Sequence, residues 1–275
     1  LDHVSSDDPV VLVGTGLTAI DVAISLHASG HKDILSVSRR GLLPAAHPDS
    51  PLPAMTSRPT GPMTARSLVA WAGAAASEAG DWRPVIDALR PITNDIWCNL
   101  SQIEQTRLLR HVLRRWEVLR HRMAPPVASR IRSMIAAGEL TVRGGGIRGV
   151  RANGGGIEVE MADRTLRARS VINCTGSSPD IRASSDPLVR RLMCRGVLAP
   201  GPLYLGLDVD IHGCVPSTRG VLWVVGPLRR GRLWETTAIP EIRAQAAALS
   251  TAMWTTKECD LRRTLYTTKS IGIMG

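Results

Sequence analysis

The stretch Val10-Val11-Leu12-Val13-Gly14-Thr15-Gly16-Leu17-Thr18-Ala19-Ile20-Asp21 reads as a strand, a tight turn and the first turns of a helix. Four apolar β-formers precede two glycines one residue apart, and Ile20, Ala23, Ile24 and Leu26 continue an apolar helix face. Glycines at that spacing let the backbone leave a buried strand without Cβ clashes. The first amides of the helix then point at whatever anion lies there, and a dinucleotide pyrophosphate is the usual occupant of such a turn. The same glycines also serve plain close packing of helix on strand. Two readings therefore stay open at this point: a nucleotide cradle of Gly14, Thr15, Gly16, Leu17 and Thr18, or a packing turn.

Gly30 and His31 close the helix, and Ile34-Leu35-Ser36-Val37-Ser38 reads as the second strand of a βαβ unit. At the end of that strand a site for NAD usually places an acidic residue on the ribose 2′-hydroxyl. Here stand Ser38, Arg39, Arg40 and Gly41. Guanidinium groups can clamp a 2′-phosphate bidentately, so the pattern favours NADPH. In a chain rich in arginine throughout, the same residues also read as ordinary basic surface.

The 275 residues allow one large or two modest domains, and 44% hydrophobic content is that of a soluble globular protein. No apolar run approaches the roughly twenty residues that span a membrane. The start, Leu1 to Asp8, has neither a basic segment nor an apolar signal region, which makes the cytoplasm the expected location. A net charge of +10 attracts polyanions. Nucleic acid is not the expected partner, because the basic residues are dispersed and 3% aromatics leave few stacking platforms. Cys98, Cys174, Cys194, Cys214 and Cys259 are scattered and odd in number, which predicts free, mostly buried thiols. No zinc-ligand spacing and no Ser-His-Asp order stand out, so neither a metal nor a hydrolase is expected.

Residues 41 to 65 carry Pro44, Pro48, Pro51, Pro53, Pro59 and Pro62, a long irregular segment placed where it could cover a nucleotide. Helices are expected at 66–79, at Trp82 to Arg90, across Asn94 to Met123 as a basic amphipathic stretch, and at Val127 to Ala137. The amphipathic stretch suits packing on the protein body or, alternatively, a membrane surface. Leu140 to Val142, Ile147 to Arg151, Ile157 to Met161 and Thr165 to Arg169 alternate between glycine-rich turns and predict a β-meander. Ser170 to Cys174 reads as a buried strand ending in Thr175-Gly176, and Val221 to Val225 as an interior strand ending at Gly226-Pro227. Pro240 to Leu249 reads as a helix.

This order of landmarks resembles the two-dinucleotide flavoproteins, and more closely the bacterial FAD/NAD(P)-binding family of FAD-dependent oxidoreductases. The resemblance rests on Trp116 to Pro125, on the Thr175-Gly176 strand end, and on the long segment Val225 to Arg243. It implies an α/β fold: a Rossmann-like NAD(P)-binding domain over 1–176, with a parallel sheet, a β-meander and a helical insertion at about 66–137. The C-terminal part of an FAD-binding domain would follow over 177–250, and 251–275 departs from the pattern as a divergent tail. The resemblance further implies hydride transfer from NADPH to a flavin, with the electrons passing to an unknown small-molecule or protein acceptor. Gly226, Trp234 and Glu235 would lie on the flavin side, with Glu235 either on a flavin hydroxyl or, the simpler reading, capping the helix that follows, and Thr175 and Gly176 at the return from the NADPH domain. No catalytic residue is nominated; His121 reads as structural or solvated, with an approach to the substrate as its alternative, and Asp21 as a helix-face residue at the domain seam or as solvent-exposed. Only one glycine fingerprint is present, and by position it matches the NADPH one. FAD is therefore expected only in a longer parent protein, and a non-catalytic nucleotide-binding remnant is the alternative.

Overall fold

A computed structural model of the chain describes residues 10–153, 156–168, 170–176, 178–218 and 222–253. The N-terminal stretch, the central glycines of the Asn153 turn, Arg169, Ser177, Val221, Cys259 and the tail past Met253 lie outside the described residues. In chain order the elements are β1 (Val10–Val13), α1 (Leu17–Ala28), β2 (Ile34–Val37), α2 (Ala65–Ala79), α3 (Arg83–Leu89), α4 (Thr93–Asn99), α5 (Gln102–His111), α6 (Leu113–Arg120) and α7 (Pro125–Ala136). Then come β3 (Leu140–Arg143), β4 (Ile147–Asn153), β5 (Gly156–Met161), β6 (Thr165–Ala168), β7 (Ser170–Asn173) and α8 (Pro187–Cys194). A last helix, α9, occupies 239–253. The chain divides into two compact units. The first comprises residues 10–57, Ala72–Asp87 and the described residues of 109–176; the second comprises Arg58–Trp71, Ala88–Leu108 and the described residues from Ser178 onward.

The first unit is built on a four-stranded parallel sheet in the order β3-β2-β1-β7. Strand periodicity assigns its two faces. Val10 and Leu12 point to one side, where Ile20, Ala23 and Leu26 of α1 and Ile131 and Met134 of α7 complete a core. Val11 points to the other side and meets Val159 and Met161 of β5 and Ala168 of β6. One face thus carries helices and the other carries the antiparallel meander β4-β5-β6. Burying each of Leu26, Ile131 or Leu12 contributes about 1.5–3 kcal/mol, so the sheet's short strands are held by their two covers more than by their length.

Leu140 to Arg143 is not part of the meander; it pairs parallel with β2, Ile34 opposite Leu140, as an edge of the main sheet. β7 is only half-buried, because it forms the opposite edge. The amphipathic stretch from Asn94 to Met123 is three helices rather than one. Leu100 turns extended at ψ 138°, and Ser101 starts α5 by accepting the Gln105 and Glu104 amides on its carbonyl and hydroxyl. The apolar stripe is broken with it, and Ile103 is left 66% exposed.

In the second unit, Ile181, Leu198, Leu207, Val209, Val215 and Val224 form the core. Helix α8 begins on an Asp186 cap whose carboxylate accepts the Val189 amide at 3.0 Å, with Pro187 in its first turn. The expected interior strand is absent from the described residues 222–225, which make a single antiparallel bridge from Trp223 to Cys214. The partner segment cannot extend the ladder. Gly213 bends it at φ 94°, and Pro216, with no N–H to donate, opens a 3-10 turn. Among the described cysteines, Cys174 and Cys214 are buried while Cys98 and Cys194 are exposed, so the thiols are not mostly buried.

Candidate dinucleotide site

The C-terminal ends of β1, β2 and β7 converge at one end of the parallel sheet, where open α/β sheets place their ligands. Gly14 follows β1 at φ 123°, donating its amide to Val37 O at 2.7 Å. A Cβ on Gly14 would stand 2.7 Å from Cys174 O, so its glycine is required by the approach of β7. Ser36, a polar residue inside an apolar strand, donates its hydroxyl to Gly14 O at 2.7 Å and fixes the turn from below.

Gly16 differs. It caps α1 in an extended conformation at φ −83°, and a Cβ there would meet nothing within 4 Å. No side chain caps the helix, and Leu17 and Thr18 in its first turn are exposed. Uncapped first-turn amides beside open space form the positive end of the helix dipole.

Thr15 is 1% exposed, and its hydroxyl faces inward. It lies 2.7 Å from Leu42 O, a carbonyl that can only accept, so Thr15 must donate to it. With that proton taken, Ser38 is the donor of the 2.9 Å hydroxyl pair between them. Ser38 Oγ also accepts the Gly41 amide at 3.0 Å. Neither hydroxyl keeps a proton for a phosphate, and both serve as struts between the fingerprint turn and the β2 exit. From above, Arg114 Nη2 donates to Thr15 Oγ1 at 3.1 Å and to Leu42 O at 2.9 Å.

Arg39 and Arg40 are exposed, and no carboxylate pairs with either among the described residues. Their backbone is clamped by the glycines after β3: Gly145 donates to Arg39 O, Gly146 donates to Ser38 O, and Arg40 bridges Gly144. Gly41, at φ 62°, would place a Cβ 2.7 Å from Gly144 N. The loop backbone is thus fixed while two guanidinium groups stay free.

Thr175 and Gly176 lie exposed beyond β7, on the same end of the sheet. Thr175 donates both its hydroxyl, at 2.7 Å, and its amide, at 3.1 Å, to Asn173 Oδ1. Burial pushes the Cys174 thiol above its ordinary value, which favours the protonated form.

Gly226, Trp234 and Glu235 belong to the second unit, where main-chain groups of Gly226 and Glu235 find partners. The Gly226 amide donates to Gln245 Oε1 at 2.9 Å, and its carbonyl accepts the Thr236 hydroxyl at 2.8 Å. Trp234 is buried against Trp97 with ring centroids 4.6 Å apart. The Glu235 amide donates to Asn94 Oδ1 at 2.8 Å, and Asn94 Nδ2 donates back to Glu235 O at 3.1 Å. These two main-chain donors have partners within the second unit. Among the described residues, no cluster of His, Cys, Asp and Glu is placed to hold a metal ion, and no helix is long and apolar enough to cross a membrane.

Sequence reasoning missed Ser36, Arg114 and the Gly144–Gly146 clamp. A serine within an apolar strand was a visible signal for the first. Nothing in the sequence marks Arg114 among so many arginines.

No protein-family model and no curated protein matches the chain. Solved structures do. One is the ornithine N-hydroxylase KtzI of Kutzneria sp. 744, with reduced FAD, NADP+ and L-ornithine; it is 12% identical at a TM-score of 0.57, covering 92% of this chain and 55% of that one. Another is DfoA of Erwinia amylovora, a cadaverine monooxygenase of desferrioxamine biosynthesis bound to FAD; it is 10% identical at a TM-score of 0.60, covering 90% of this chain and 52% of that one. The chain shares the fold of these flavin monooxygenases, and it spans about half of their length.

Proposed function

We propose that this chain binds NADPH at the Gly14–Thr18 turn and the Ser38–Gly41 loop, as the NADPH side of an FAD-linked oxidoreductase. The observation that carries this reading is Gly16. Gly14 is explained by the crowding of Cys174, but no neighbour within 4 Å explains a glycine at the uncapped start of α1. Open space there suits a pyrophosphate drawn close to backbone amides. Arg39 and Arg40, fixed in backbone and unpaired in side chain, suit the 2′-phosphate that distinguishes NADPH. Thr175 and Gly176 border the same sheet end.

When bound, NADPH supplies a hydride, and flavin is the acceptor that the resemblance implies. The chain's own residues hold and orient the donor: α1 amides on the pyrophosphate, the arginine pair on the 2′-phosphate, and the Thr15–Ser38 hydroxyl pair keeping the two contacts in register. No general acid is assigned, because transfer between cofactors needs none from the protein.

A second reading is a nucleotide-binding module without flavin turnover. The internal partners of the Gly226 and Glu235 amides favour it. Calorimetric titration of the purified chain with NADPH and NADH, followed by an assay for reduction of added FAD, separates the two. Preferential binding of NADPH supports the shared part of both readings, and NADPH-dependent reduction of added FAD supports the oxidoreductase even where the chain does not retain the flavin. No binding of either nicotinamide dinucleotide refutes both.

A further inference from the structure

The helical segments between β2 and β3 place one side chain on the fingerprint turn, Arg114 of α6, ninety-nine residues from Thr15 in sequence. We propose that Arg114 is a positioning residue that holds the Ser38–Leu42 loop, and through it Arg39 and Arg40, in register with the start of α1. The inference rests on the NADPH reading above for its consequence and on the hydrogen-bond network for its mechanism.

The network has one consistent proton arrangement. Leu42 O accepts from Thr15 and from Arg114, at 2.7 and 2.9 Å, which fills both its lone pairs. Thr15 Oγ1 donates once and accepts twice, from Ser38 and from Arg114 Nη2. Leu42 O can only accept, which sets the Thr15 and Ser38 hydrogens; Arg114, which can only donate, adds a second donor to both Leu42 O and Thr15 Oγ1 and so ties the two together. Ser38 must then turn its proton to Thr15 and accept from Gly41, which tightens the turn carrying the two arginines.

Arg114 acts on the loop and not as another charge on the phosphate. Both Nη2 hydrogens point inward, to Thr15 and Leu42, and Nη1 lies 3.5 Å from Glu117 Oε2, one helical turn on. Its side chain is 27% exposed. Beyond Leu42 the loop is tied to the same helical segment: Ala45 donates to Val118 O and His47 to Met123 O, while Met123 donates to Ala45 O. On the other flank the Gly144–Gly146 backbone holds Ser38 to Arg40. Arg114 closes the gap between these two clamps, at the residues where the arginine pair leaves β2.

The test uses the whole chain with Arg114→Ala, Arg114→Lys and Thr15→Val, each first checked for an intact fold by circular dichroism. Two readouts are taken: hydrogen exchange at the Gly41 amide without ligand, and affinity for NADPH and NADH. Arg114→Ala is expected to speed Gly41 exchange and to weaken NADPH about tenfold while changing NADH less than about threefold. Arg114→Lys keeps a donor and should recover part of both effects. Thr15→Val removes the same node from the other side, so combining it with Arg114→Ala should add little. An unchanged Gly41 exchange with an unchanged NADPH-to-NADH ratio in Arg114→Ala overturns the inference. Equal losses for both dinucleotides also overturn it, since they would make Arg114 a direct pyrophosphate ligand. If the wild type binds neither dinucleotide, the NADPH reading falls, and Gly41 exchange alone decides whether Arg114 holds the loop.

Discussion

Replacing the two fingerprint glycines one at a time separates packing from ligand binding. Gly14→Ala forces a Cβ onto backbone at φ 123°, a conformation that costs an L-residue about 1–3 kcal/mol. The same Cβ lies 2.7 Å from Cys174 O and 2.9 Å from Cys174 C, both backbone atoms that move only if β7 shifts from β1. Overpacking of that kind adds about 1–3 kcal/mol. The sum, about 2–6 kcal/mol, is a large share of the 5–15 kcal/mol that typically holds a domain together. With a urea slope of about 2 kcal/mol per molar, the midpoint should fall by roughly 1–3 M. Gly16→Ala meets no atom within 4 Å and sits at φ −83°, which alanine adopts freely. Its poorer capping and its smaller unfolded-state entropy nearly offset, leaving about 0.5 kcal/mol or less. Its methyl instead enters the space assigned to the pyrophosphate, so NADPH affinity should fall at least tenfold on the scale of one lost charge-assisted contact. Urea unfolding and calorimetry on both variants check this. A harmless Gly14→Ala, or a Gly16→Ala that costs stability but not affinity, would refute the reasoning.

Three further outcomes follow from the structure. FAD should not be retained through gel filtration by this chain, because the Gly226 and Glu235 amides already have partners; stoichiometric flavin in the eluted protein would contradict that. Glu104 accepts the Ala65 amide, the largest cause, and pairs with Arg107, and together these outweigh burial to hold its carboxyl below the ordinary 4.5. A lowered folded value means the stabilisation is present above pH 4.5 and is lost as pH falls through the folded value, so Glu104→Gln should flatten the acid limb of the stability profile; an unchanged limb would show the pairing to be idle. Gly41→Ala should loosen the arginine loop, since its Cβ would lie 2.7 Å from Gly144 N; it should lower stability and NADPH affinity together, and loss of neither in paired unfolding and binding measurements would count against the clamp.

The βαβ start was legible because its signals are local: β-formers, two glycines and a helical apolar period all lie within residues 10 to 26. Arg39 and Arg40 could be nominated for the same reason. Pairing between distant segments was not legible. Nothing local to Leu140 says whether it joins β2 or β4, and Val221 to Val225 has the composition of a strand but a partner cut short by Gly213 and Pro216. The break at Ser101 was readable as a Ser-x-x-Glu start, yet the flanking apolar stripe hid it. The inward turn of Thr15 and Ser38 depended on Arg114 and Leu42, which only the fold brings to them.

The central claim, an NADPH site made by α1 and the arginine loop, is tested most directly by titrating NADPH and NADH into the wild type and the double variant Arg39→Ala/Arg40→Ala. Charge-assisted contacts to a phosphate contribute about 1.5–3 kcal/mol each, and solvent at an exposed rim removes part of that. A net preference of about 2–3 kcal/mol for NADPH corresponds to about 30- to 150-fold in affinity. The account predicts that preference in the wild type and its near disappearance in the double variant, with NADH affinity little changed. Equal affinities in the wild type, or a preference that survives the double substitution, would contradict it.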